Sequence, residues 1–202
     1  MVAKLYRDLS TLLPAYEVKL ALAEGPFEDN DGVGAHFDAV ALTHPTLTKR
    51  VSAIKVDLHA SVIKLGRHVA MHNPKLIIGE GQGALVAIAF GKPLLLEHAL
   101  ATRNVQEKEA REIGQAWGNV CGIFAHAPRM SKARTGEENL QIAAAELFDN
   151  SFPVPSRRTF VIKDPAAPHY NETKVFAAAM HLEGVQRLED APLSALVEEQ
   201  AL

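Results

Sequence analysis

The chain has 202 residues, 48% apolar and 22% charged, the composition of a globular domain rather than a disordered segment. Twenty-one Lys and Arg against 24 Asp and Glu give a formal net charge of −3, which supplies no basic field for nucleic acid, and the single cysteine, Cys121, excludes an internal disulfide and a Cys-rich zinc site. No apolar run reaches the ~18 residues of a membrane span, and the charged start M-V-A-K-L-Y-R-D-L is unlike a signal peptide, so the expected setting is soluble and cytoplasmic.

Residues 4–13 read as a helix closed by Pro14. The alternating run E-V-K-L-A-L-A-E (17–24) predicts a strand. P-F-E-D-N-D-G-V-G (26–34) predicts a loop, and its glycine register does not suit calcium. F-D-A-V-A-L (37–42) predicts a second short strand. Leu47, Val51, Ile54, Leu58, Val62, Leu65 and Val69 recur every three or four residues, one apolar stripe on a long helix that ends near Asn73 and Pro74. Asp57, Lys64 and Arg67 fall off that stripe, toward solvent. K-L-I-I (75–78) predicts a buried strand, and G-E-G-Q-G-A (79–84) turns directly into a helix.

A further helix follows Pro93, and another is expected from Asn104, with Glu107 at capping-box spacing. V-C-G-I-F-A-H-A (120–127) predicts a strand with Cys121 as core filler. Thr135 and Glu138 open a helix running to Phe148, R-T-F-V-I-K-D (158–164) predicts a strand, and residues 171–181 and those from Asp190 onward predict two last helices. Four or five strands separated by helices predict the α/β class, a mostly parallel sheet with helices on both faces.

The strand–glycine–helix turn is where the sequence carries chemistry. One reading is dinucleotide binding: Gly79, Gly81 and Ala84 fit G-x-G-x-x-[GA], and Glu97 lies near the acidic position 18 residues on. The helix available before Pro93 is short for that role. The other is the nucleophile elbow G-x-S-x-G of α/β-hydrolases, matched by Gly79, Glu80, Gly81, Gln82 and Gly83 with glycine at the central position. L-I-I-G-E-G-Q-G-A resembles the elbow run of the small serine-hydrolase (FSH-like) family. E-V-K-L-A-L-A-E-G-P-F-E, V-C-G-I-F-A-H-A-P and P-V-P-S-R-R-T-F-V-I-K-D-P resemble its other strands. The resemblance runs from about Lys4 to Met180 and implies a hydrolase-like domain over residues 1–185 with a helical tail over 186–202, lacking the family's first strand. It implies vestigial catalytic positions at Gly81, Asp164 and His181.

The departures decide the functional expectation. Gly81 has no oxygen to be acylated, the His-Gly oxyanion loop has no counterpart, and neither His169 nor His181 has the family's G-G-H setting. The expectation is therefore a hydrolase-like domain without catalysis, acting in binding or assembly with a protein partner or a second copy, and using no cofactor. The amides around residues 79–83 are candidates for holding an anion. The rivals are an esterase or thioesterase with an atypical nucleophile and a nucleotide-binding domain. His68 and His72, four apart, lack a third metal ligand, Trp117 reads as a packing aromatic, and Arg129, Lys132 and Arg134 as a solvated loop.

Overall fold

The computed structural model describes residues 7, 10–11, 19, 21–28, 34–38, 45–126, 128 and 159–162. In chain order these form a short hairpin, β1 (Phe27–Glu28) with β2 (Gly34–Ala35), then helix α1 (Leu47–His72) and strand β3 (Leu76–Glu80). Helices α2 (Gln82–Phe90), α3 (Pro93–Thr102) and α4 (Glu107–Asn119) follow, and strands β4 (Gly122–His126) and β5 (Thr159–Ile162) complete the set. The two hairpin strands are antiparallel, and β3, β4 and β5 lie side by side in that order, all parallel. The fold is thus mixed helix and strand, rich in helix, around a small parallel sheet.

The core sits between that sheet and α1. Ile77 and Gly79 of β3 and Ile123 and Ala125 of β4 face α2, which is apolar on every side and buried from Ala84 to Phe90. A helix without a polar face belongs in an interior, as α2 does here. Phe124 projects from the opposite face of the sheet and is also buried, so β4 is an interior strand on both sides. The predicted stripe on α1 packs against α2, α3 and α4. Gly66 lets α4 cross close by, since a Cβ there would meet Ile113 Cγ2 at 2.8 Å. No single helix among the described residues is long and apolar enough to cross a membrane. The pair α2 and α3 is apolar in sum but bent by 97°.

Several expectations are corrected. The described residues of the 17–24 run, Lys19 and 21–24, form no strand, and Leu22 is 66% exposed. Alternation alone does not make a strand without a neighbour to pair with. Pairing falls instead at both ends of the expected 26–34 loop, and Phe37 and Asp38 are a bend and coil rather than the start of a strand. Asp57 is buried, not solvated, because its carboxylate accepts the Asp38 N–H at 2.9 Å.

Asn104 is not an N-cap. It stands at φ 50° just after α3, and the Asn104 N–H to Ala101 O and Val105 N–H to Leu100 O bonds close a Schellman motif. Helix α4 starts at Glu107 with Gln106 as its N-cap, two residues later than expected. Cys121 is exposed, one residue before β4, and so does not fill the core. The segments 127 and 129–158, which hold the expected helix at Thr135, and 163–202, which hold Asp164, His169, His181 and the tail, lie outside the described residues, as do most of 4–13 and 39–42.

Candidate functional site

Strand β3 runs through Glu80, and α2 starts at Gln82, so a single residue, Gly81, makes the turn. Its backbone stands at φ 58°, ψ −117°. Those are the angles of the first central residue of a type II′ turn, open to glycine and strained by about 1–3 kcal/mol for any other residue. The Gly81 N–H donates to His126 O at 3.1 Å, and Glu80 is the register partner of His126, so the turn leaves the sheet where β4 also ends. Ligands of open α/β sheets bind outside such carboxyl ends. Gly79 makes the turn this tight. A Cβ on it would lie 2.7 Å from Ala84 Cα and would overlap the Gly83 carbonyl oxygen, so strand and helix touch backbone to backbone.

The first-turn N–H groups of α2 have no intrahelical acceptors. Beside them lies a residue that sequence reasoning missed. His36, just after the hairpin, brings its ring to the first turn of α2, where Nε2 stands 3.4 Å from the position of a Cβ on Gly83. The segment is tied down on both sides: His36 N–H donates to Gln82 Oε1 at 3.3 Å, and Ser61 Oγ of α1 donates to His36 O at 2.6 Å. The Lys64 ammonium donates to Gly25 O at 2.7 Å, pinning the hairpin's approach. Burial, and secondarily the Lys64 charge, push the imidazole pKa down, so His36 is neutral at neutral pH. Its Nδ1 is buried and meets no hydrogen-bond partner among the described residues. His36 is 46 positions from Gln82, and no local pattern ties the two together.

Of the residues singled out from sequence, Gly79, Glu80, Gly81, Gln82 and Gly83 form one turn, with Glu80 exposed. Asp164 and His181 lie outside the described residues. Glu97, needed at a strand end for dinucleotide binding, is instead exposed on α3, which removes the acidic partner of that reading. His68 and His72 lie ring to ring at 4.4 Å, and no group of three metal-ligating side chains occurs among the described residues. Trp117 packs as expected, and its indole N–H donates to Phe90 O at 2.7 Å, satisfying a carbonyl in the last turn of α2.

The fold and turn together define a mixed α/β domain with a parallel sheet and a glycine-only strand-to-helix turn. Comparison with protein-family models, with curated proteins and with solved structures finds no match for the chain.

Proposed function

We propose that the chain is a hydrolase-like domain that has lost its chemistry and works in binding or assembly. The observation carrying this reading is Gly81. It occupies the tight strand-to-helix position where an α/β-hydrolase puts its nucleophile, yet it offers no atom to be acylated. The neighbouring strands agree in kind. The resemblance makes β3 the elbow strand, β4 the next and β5 the one leading to the acid position, and these three are adjacent and parallel. Glycine at residue 81 keeps the turn without the strain that a serine there would bear, as a retained scaffold requires. Among the described residues β3 is an edge of the sheet, and an open edge favours a covering chain, whether a protein partner or a second copy.

The experiment is fluorophosphonate labelling together with hydrolysis of p-nitrophenyl acetate by the wild-type protein and by Gly81→Ser. Neither protein is expected to label or turn over, because loss of a nucleophile with its supporting groups removes on the order of 10⁶ in turnover and serine alone does not restore them. Wild-type turnover that survives purification and vanishes in Asp164→Ala would establish the atypical esterase instead. Sedimentation addresses the assembly half separately, and a monodisperse monomer with no copurifying partner would count against it.

A further inference from the structure

Five of the nine histidines gather around one helix. His59, His68 and His72 are on α1. His36 is held against α1 through Ser61, and His98 of α3 meets His59 edge to face with ring centroids 5.3 Å apart. His59 is 8% exposed, at the seam where α3 packs on α1. Its Nδ1 lies 3.5 Å from Thr102 Oγ1, a hydroxyl that itself donates to the His98 carbonyl. His36 Nδ1 and His68 Nε2 are buried without hydrogen-bond partners among the described residues. A protonated ring in any of these places brings a charge that no described residue of opposite sign receives.

We propose that α1 is an acid-responsive element: in mildly acidic solution, protonation of His36 loosens the β1–β2 hairpin from it and protonation of His59 loosens α3, with His68 adding a third charge on the helix. The proposal stands independently of the hydrolase-like reading.

Among the described residues, the charges that act on these three rings are positive. Lys64 faces His36 and His68, His72 faces His68, and His98, Lys55 and Arg103 face His59. Among the described residues no carboxylate is a cause of the shift at any of these rings. α2 has no ionisable side chain, α3 has only exposed Glu97 besides His98, and on α4 Glu107 pairs with Arg111 and Glu109 with Arg67, while Glu112 stands within reach of Lys108. In the 36–38 segment Asp38 uses its N–H on Asp57, whose own pKa burial pushes up. Burial first, and these cations second, push all three imidazole pKa values down, for His59 to about 4.

A lowered pKa means that the opened chain takes up the proton more readily than the closed one. The closure is therefore fully present above the ordinary value of 6.5 and is lost as pH falls toward about 4. For His59 alone the limit of that loss is 10 raised to the difference of 6.5 and 4, roughly 300-fold in the closing equilibrium. Releasing His36 breaks its bonds to Gln82 and Ser61 and so uncovers the first turn of α2.

Two measurements on the intact protein decide the matter. Proton NMR of the imidazole rings is expected to show at least three histidines titrating clearly below 6.5 and one near 4. Nine ordinary titrations would overturn the proposal. Hydrogen exchange, corrected for its intrinsic pH dependence, is compared at about pH 7 and 4.5, where protection over 21–28, 34–38 and 93–102 is expected to fall at least ~10-fold more than over 76–90. His36→Gln with His59→Gln should abolish most of that difference. Uniform loss, unchanged protection, or the same loss in the doubly substituted protein overturns the proposal. If that protein does not fold at pH 7, the wild-type titration and exchange decide it alone.

Discussion

Replacing Gly79 with alanine puts a Cβ 2.7 Å from both Ala84 Cα and the Gly83 carbonyl carbon, and closer still to the Gly83 oxygen. Ordinary contact begins near 3.4 Å, so α2 must retreat by at least 3.4 minus 2.7, or 0.7 Å, and both groups it would strike are backbone. A gap of that size on the facing surface forfeits roughly a quarter to a half of each dispersion contact. The surface affected belongs to α2, whose Ala84, Leu85 and Ile88 are fully buried. The expected loss is about 3 kcal/mol, at the upper end for overpacking, or a melting point roughly 6–12 °C lower. Gly114→Ala, in the middle of α4 with nothing within 4 Å of its Cβ, is the matched control and should gain about 0.5–1 kcal/mol. Thermal and urea unfolding read both. A Gly79→Ala protein melting within about 1 °C of wild type would refute the backbone-to-backbone packing of α2 on β3.

Three further outcomes follow from single contacts. Gly81→Ser, besides gaining no useful activity, should lose about 1–3 kcal/mol because serine resists φ 58°, ψ −117°; unchanged urea stability would contradict the turn as described. Asn104→Ala should cost about 1 kcal/mol and Asn104→Gly close to nothing, since the residue sits at φ 50°; equal effects would mean that it is not a left-handed cap. Trp117→Phe keeps the aromatic packing but leaves the Phe90 carbonyl without its donor, for a loss of about 1–2 kcal/mol in urea unfolding, and no loss would show that the bond contributes nothing.

The strand–glycine–helix part of the reading, over residues 76–84, is legible because adjacent residues carry it. A buried apolar run, a glycine pair two apart and another apolar run specify strand, turn and helix by local sterics, and the turn stands at Gly81 as expected. His36 was invisible for the opposite reason. Its importance comes from 46 positions of intervening chain that fold it back onto Gln82, and no periodicity reports such a contact. Asn104 shows the ambiguity between these extremes, because asparagine is favoured both as an N-cap and as a left-handed C-terminal residue. Only the path of the chain after α3 chose between them.

By itself the sequence determined that helix and strand mix around parallel pairing, the long apolar stripe of α1, the apolar helix α2 and the absence of a side chain at residue 81. Each follows from spacing or from the identity of one residue, and neither needs knowledge of distant neighbours. Tertiary structure alone decided that Asp57 goes inward, that Cys121 stays outside and that histidines from three segments meet at α1. Burial and hydrogen-bond partnership are properties of packed surfaces, and a side chain's charge state follows from both.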